Sequence, residues 1–507
     1  MYSTIVSAAV CGMEVVMVHV EVDIAQGLPG FILVGYLSGE VKEAGERVRI
    51  ALKNAGVSLP PMRITVNLSP AHIKKGGTAF DLPIAIGILR TLGYIPPDST
   101  EGLLAVGELS LNGTVNPVRG VLPLVKKGRE EGFGRCMVPM ENCWEGRMIG
   151  GMDIIGARDL NGVMEYLRNG RREEEREDRH CEMQEMKQGD FGEIAGQTAA
   201  KRAAEIAAAG FHNLLLIGPP GSGKTMIAKR IPGILPPLTE EERLEVSSIY
   251  SVAGLLAGRH SLISHRPFMN PHHTITAQAL VGGGRTVRPG IISLAHKGVL
   301  FFDELPEFKT NTVDLLRQPL EEKQIRIVRL EGSYAFPADI MFVAAMNPCP
   351  CGYYPDMNRC RCTAPSVRRY QNHVSGPVLD RIDICAGVSP IEISQLGEGH
   401  VQESSEAIRS RVMRARRIQE ERYRGREYRF NSLLPRCAVE EFCFLEKEER
   451  EFLGRAYTRT GMSARAYYRV LRVARTIADL EESERITELH LAEALECRMA
   501  GEKYWER

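Results

Sequence analysis

Short β-rich runs alternate with helical patterns through the first third of the chain. Val15 to Val22 and Met62 to Leu68 read as strands. Glu40 to Ala55 has helical spacing closed by Gly56, and Leu82 to Leu92 is an apolar helix ending at Gly93. This mixture predicts an α+β domain over residues 1–167. Between 168 and 189 the pattern lapses. Arg171 to Arg179 is a mixed charge run with no apolar face, which reads as a solvated linker or exposed helix. From 190 to 395 the strands change character. Leu214–Ile217, the run from Val299, and Ile340–Met346 are continuously apolar, as parallel strands buried on both faces are. An alanine-rich helix, Thr198 to Ala209, precedes them, and a doubly wound α/β core is expected. Residues 396–507 read as a helical region. Glu403 to Arg429 predicts one long basic helix. Ser463 N-caps a periodic run to Arg475, and a last helix runs from Thr487 through Met499.

One stretch in the α/β region carries chemistry directly. Gly218-Pro219-Pro220-Gly221-Ser222-Gly223-Lys224-Thr225 follows a buried strand and opens a helix-compatible run, Met226 to Arg230. That is the pattern and the context of a phosphate-binding loop. Glycines let backbone N–H groups close around phosphate oxygens, and the helix N-terminus adds positive potential. Lys224 is placed to reach the β- and γ-phosphates, and Thr225 to put its hydroxyl on Mg²⁺. The run from Val299 ends in Asp303 and Glu304. Asp303 is expected to hold Mg²⁺ through water, and Glu304 to orient and deprotonate the attacking water. The strand Ile340–Met346 ends at Asn347, whose amide can hold the water near the γ-phosphate.

Composition adds little about partners. The chain has 507 residues, room for two to four domains, and its 64 lysines and arginines balance its 64 aspartates and glutamates. Any nucleic-acid surface must therefore be local. No stretch is long and apolar enough to span a bilayer, and no signal peptide opens the chain. The twelve cysteines are thinly spread, which fits a reducing, cytoplasmic compartment. One cluster is tight: Cys349 and Cys351, then Cys360 and Cys362. Two close pairs can supply four thiolates to a structural Zn²⁺. Reduced loop thiols and a redox pair stay open as the other readings.

The N-terminal region resembles the proteolytic domain of Lon proteases. Val66 to Pro70, Lys74 to Pro83 and Gly107 to Val118 carry the likeness. That family uses a Ser/Lys dyad. Here Thr78 falls where the serine should be, and Leu122 where the lysine aligns. A leucine cannot accept a proton, so the domain is expected to be non-proteolytic, a scaffold or DNA-contacting module. Lys126 or Lys127 is a shifted substitute for that lysine.

The stretch His296 to Leu305 resembles magnesium-chelatase-like AAA+ ATPases. With the Lon-like domain, the whole chain resembles the ComM/YifB family. That resemblance implies a Lon-like α+β domain, an AAA+ P-loop α/β core and a C-terminal helical lid. It implies a homo-hexameric, ATP- and Mg²⁺-dependent enzyme that promotes branch migration of DNA in natural transformation. By the same likeness Asn347 is the sensor-1 residue, Arg381 the arginine finger reaching a neighbour's ATP, and Arg465 the lid's γ-phosphate contact, with Arg472 as runner-up. Ile194 and Gln197 are candidates for the adenine cradle. Two stretches are expected to face DNA. One is the insert Arg266 to Gly290, with His272-His273 and Arg285. The other is a hairpin of alternating basic and apolar residues, Gln324 to Arg329. The arginines of Glu403 to Arg429 form either a solvated face or a further nucleic-acid contact. A chelatase motor subunit and an ATP-gated regulator without translocation are the competing functions.

Overall fold

The computed structural model describes residues 2–173, 189–256, 261–284, 286–330, 332–390 and 402–502. Most of the charge run from Arg171 to Arg179, and Arg285, lie outside the described residues. The first domain is built on a seven-stranded mixed sheet. Its strands are β1 (Tyr2–Cys11), β2 (Glu14–Ala25), β3 (Gly30–Val34), β4 (Arg63–Ser69), β5 (Leu103–Ala105), β6 (Arg135–Pro139) and β7 (Asp153–Ala157), in spatial order β3-β4-β2-β1-β5-β6-β7. The expected helix 40–55 breaks at Glu43 into a short turn, Gly39–Lys42, and α1 (Ala44–Asn54). Helix α2 (Asp81–Thr91) is buried on nearly every side, as its apolar run requires. Helices α3 (Val121–Glu130) and α4 (Leu160–Asn169) complete the domain.

The second sheet has five strands, all parallel. They are β8 (Leu214–Ile217), β9 (Phe268–Met269), β12 (Val299–Phe302), β15 (Met341–Met346) and β16 (Ile384–Gly387), in order β9-β12-β15-β8-β16. Every side chain of β8, β12 and β15 is buried. Helices α5 (Thr198–Gly210), α6 (Lys224–Ile234) and α7 (Glu240–Ala253) belong to this layer. Two small antiparallel ribbons accompany it. One pairs β10 (Gly282–Gly283) with β11 (Arg288–Pro289), the other β13 (Gln324–Arg329) with β14 (Gly332–Pro337). The chain thus combines α+β and α/β architectures with a third, helical part, which includes α8 (Ser405–Arg422), α9 (Ala464–Leu480) and α10 (Glu488–Glu502). The alanines of α5 let α8 and α9 pack closely, and one hydrophobic core runs from the sheet into these helices. Among the described residues no helix is long and apolar enough to cross a membrane.

The first domain docks on α7. Leu122, fully buried, packs with Val246, Ile249 and Tyr250. Its backbone N–H donates to Glu145 Oε1 at 3.1 Å and to Ser251 Oγ at 3.3 Å. Ser251 also donates to Glu145, and Asn142 Nδ2 donates to the other carboxylate oxygen at 3.0 Å. Burial holds the Glu145 carboxyl above the usual range, and these donors partly offset it. Leu122 is therefore part of an interdomain seam, and Thr78 donates instead to Glu108. Leu122→Ala is expected to cost about 2–5 kcal/mol, the loss seen when a fully buried leucine is truncated. Urea unfolding followed by circular dichroism checks it; a midpoint equal to wild type would contradict the seam.

Candidate nucleotide-binding site

Gly218 follows directly on β8. Its N–H donates to Met346 O at 3.2 Å, and Val388 N donates to Ile217 O at 2.7 Å. A Cβ on Gly218 would stand 2.1 Å from Val388 O, so only glycine fits where three strand ends converge. Gly221 and Gly223 take left-handed backbone conformations, φ +74° and +94°, which turn the chain into α6. The first turn of α6 then presents free N–H groups toward the loop, the ordinary environment for a phosphate. Pro219, Pro220 and Ser222 complete the loop, and Ser222 Oγ donates to Pro219 O at 2.8 Å.

The side chains predicted to act together do meet. Lys224 Nζ donates to Gly218 O and Pro219 O, both at 2.8 Å, and to Asn347 Oδ1 at 3.1 Å. The ammonium is thus held at the centre of the loop by the groups that flank it. Thr225 Oγ1 donates to Asp303 Oδ2 at 2.8 Å, so the two candidate Mg²⁺ contacts are already adjacent. Glu304 is exposed and has φ +54°, a conformation costing about 1–2 kcal/mol in a non-glycine residue. Strain of this kind at a strand tip aims a side chain at the cost of stability. Burial lowers the Lys224 pKa to about 8, and the charges of Asp303 and Glu304 partly oppose the shift.

The neighbouring candidates are placed differently. Gln197, at φ +57°, donates from Nε2 to Ser222 O at 3.1 Å and to Ser389 O at 2.6 Å. It ties the loop to the end of β16. Ile194 is buried in the core and accepts from Lys201 Nζ at 2.6 Å through its carbonyl. Arg381 pairs with Glu321 at 2.8 Å and donates to Arg317 O at 3.1 Å and Pro377 O at 2.6 Å. Its carbonyl accepts from Asn213 Nδ2 at 2.8 Å, at the end of β8 opposite the loop. Arg381 is therefore remote from the nucleotide loop of its own chain. Arg465 is exposed on the first turn of α9. One turn further on, Arg469 is buried and donates to Ile382 O at 3.3 Å; sequence reading passed over it, although it shares the helical face of Arg465. Arg472 is mostly buried and its Nε finds no acceptor among the described residues.

Comparison with known proteins decides the family. A family model of the magnesium chelatase subunit ChlI matches residues 190–396, a second ChlI model matches 20–142, and one of its C-terminal part matches 402–498. The uncharacterized protein YifB of Escherichia coli K12 is 41% identical over 497 residues, covering 98% of this chain and 97% of that protein. The competence protein ComM of Haemophilus influenzae is 41% identical over 506 residues, covering 97% and 96%. This chain belongs to the ComM/YifB family of magnesium-chelatase-like AAA+ proteins. Lon protease 2 of Bacillus subtilis is 30% identical over 127 residues, 25% of this chain and 22% of that protein, which accords with the Lon-like first domain. For a ComM/YifB chain with an AAA+ core, ATP and Mg²⁺ are the matching ligands of the loop.

Other features of this ComM/YifB chain refine the sequence reading. The four cysteine sulfurs lie within 4.8 Å of one another. Cys349–Cys351, Cys351–Cys360 and Cys349–Cys360 Sγ separations are 3.4, 3.6 and 3.8 Å. A tetrahedron of sulfurs about 2.3 Å from one metal has edges of about 3.8 Å. Gly352 N and Tyr354 N donate to Cys349 Sγ at 3.2 and 3.4 Å, as thiolate ligands require. A Cβ on Gly352 would lie 2.3 Å from Pro220 Cδ, so the cysteine knuckle rests on the phosphate loop.

His272 and His273 lie in a turn; their rings sit side by side at 4.0 Å, and His272 Nδ1 bonds Thr274 Oγ1 at 2.9 Å. Two expectations change. Arg266 is buried, pairing with Glu242 at 3.2 Å and donating to Lys297 O at 2.6 Å, so the insert's surface begins after it. The basic helix is shorter than read, and several of its arginines are spent inside the protein. Arg411 pairs with Glu205 and Glu403, Arg422 with Asp479, and Arg416 stacks on Phe430 at 3.7 Å.

The low pKa of Lys224 fixes a pH dependence for nucleotide binding. Phosphate stabilises the ammonium, so binding above about pH 8 must take up a proton. ATP affinity is expected to change little between pH 7 and 8 on this group's account and to fall as pH rises further. Calorimetric titration in buffers of different ionisation enthalpy should show proton uptake at pH 9; its absence would contradict the assignment.

Proposed function

We propose that this chain is an ATPase that couples hydrolysis to the remodelling of DNA, by branch migration or strand separation, as a homo-hexamer in the cytoplasm. The observation that carries the hydrolytic part is that Lys224 meets Asn347, and Thr225 meets Asp303, beyond the C-terminal ends of the three central strands. Lys224 neutralises the β- and γ-phosphates once ATP displaces its carbonyl partners. Thr225 and Asp303 would hold Mg²⁺, which would supply positive charge to the transferred phosphoryl group when bound. Glu304 takes the proton of the attacking water, and Asn347 orients that water. Arg381 serves the ATP of the next subunit, in keeping with its distance from its own loop, and Arg465 closes from the lid. The chain divides at about 167, 189 and 395, and its first domain does not cleave peptides. The DNA part is supported by the two small ribbons, and a competence protein among the relatives fits it.

The knuckle of Cys349, Cys351, Cys360 and Cys362 holds one structural Zn²⁺. Four protein ligands leave no open position, so the metal braces the loop after Asn347 and does no chemistry.

The deciding assay is the ATPase rate with and without single-stranded and branched DNA. Stimulation by DNA is expected; stimulation by a porphyrin-binding partner alone would favour the chelatase motor that the family models suggest. Glu304→Gln should keep nucleotide binding and lose about 10²–10⁴ in rate. Arg381→Ala and Lys224→Ala, each inactive alone, should regain partial activity when mixed and allowed to exchange subunits. Verified exchange without recovery excludes Arg381 as the finger.

Metal analysis of protein purified without chelators should find about one zinc per chain, lost in the Cys349→Ser, Cys360→Ser double variant. Metal-free wild type with a normal melting temperature would leave the reduced-thiol reading.

A further inference from the structure

Resting on the DNA reading above, we propose that Arg119, Arg288 and Arg329 form one phosphate-binding rail across two domains. A single strand of nucleic acid lies along it, its bases against Val328 and Leu330. This gives the Lon-like domain a direct part in binding.

The three arginines come together through α7 and the two ribbons. Gly120 N donates to Ser251 O at 3.1 Å, which fixes the turn before α3 on the end of α7. From that turn the Arg119 side chain crosses Gly254, the C-cap of α7. A Cβ there would lie 2.7 Å from Arg119 Nε, so the close approach depends on the missing side chain. Strand β11 packs against the same helix and carries Arg288. Partial burial first, and then the nearby charge of Arg288, disfavour the Arg119 cation. Arg288 pairs in register with Gly283, and Arg329 Nη2 lies 3.3 Å from where a Cβ on Gly283 would stand. The rail therefore runs from the first domain to the β10–β11 ribbon and on to the end of β13.

What marks the cluster is the lack of counter-charge among the described residues. All three arginines are exposed, and none of their side chains has an ion pair or a hydrogen bond there. The chain has as many acidic as basic side chains. Arg47, Arg202, Arg266, Arg381, Arg411 and Arg422 each face a carboxylate. Three like charges gathered with no carboxylate partner among the described residues are unfavourable alone and become favourable when an outside anion lies between them. The apolar tip points to the kind of anion. Val328 is 76% exposed and Leu330 fully so, beside Arg329. A nucleic-acid strand presents a phosphate and a flat base face at each step, and so uses both surfaces at once.

The test is salt-dependent binding of the full-length protein to a fluorescent single-stranded DNA of mixed sequence. Wild type, R119A, R119K and R288A are compared, with single-stranded RNA and poly-glutamate as further probes. R119A and R288A should each bind several-fold more weakly and lower the slope of log K against log salt by about 0.7, one released phosphate contact. R119K, which keeps the charge, should hold the wild-type slope. RNA should follow DNA, because the contact is to the backbone. A wild type that binds no nucleic acid sinks both this proposal and the DNA reading. Wild-type binding with an unchanged slope in R119A sinks this proposal alone. Weaker binding with an unchanged slope, or an equal loss in R119K, would assign Arg119 to packing on Gly254. A loss confined to poly-glutamate would assign the rail to an acidic protein.

Discussion

The geometry of the candidate nucleotide site depends on one residue at the far end of the sheet. Asn213 precedes β8, and every polar group it has is engaged. Its N–H donates to Asp383 Oδ2 at 3.1 Å, and its carbonyl accepts from Asp383 N and Ile384 N, both at 3.1 Å. Its side-chain oxygen accepts from Phe342 N at 2.9 Å, while Nδ2 reaches Arg381 O. One amide thus pins the starts of β8, β15 and β16. From there the register runs Leu214 beside Val343 and Ile384 to Ile217 beside Met346 and Gly387. Gly218, Asn347 and Val388 must then emerge together. A slip of one residue would send every buried side chain of a strand to the other face, so the pin and the register support each other.

The nucleotide loop was legible because its chemistry is local. Glycine, lysine and threonine at fixed spacing need only the strand before them and the helix after. Strands β8, β12 and β15 were legible because full burial writes an unbroken apolar run. Strand β9 has two residues, and β16 ends in Cys385-Ala386-Gly387; neither shows a period of its own, and both exist through pairing with β12 and β8. Arginine was the least readable residue. Arg266 and Arg422 looked like surface charge because Glu242 and Asp479, their partners, are found only once the chain has folded.

Polar burial also joins the lid to the core. Asp479, fully buried, takes Arg422, Arg475 and Asn431 Nδ2. Asn431 and His212 both reach Thr476 Oγ1, at 3.0 and 2.8 Å. His212 precedes Asn213, so the network that fixes the lid ends beside the residue that fixes the sheet. Removing one member would leave a buried charge or amide without its partner, which costs more than the bond contributes. The lid is therefore bound to the strand starts by specific geometry as well as by the shared apolar core.

Leu122 sets a limit on what can stand at its position. Its side chain is closed under α7, inside the interdomain seam. A lysine there would press an ammonium against Val246, Ile249 and Tyr250, far from water. A charged base at 122 and this docked arrangement therefore exclude one another. To gain the first, the two domains would have to separate.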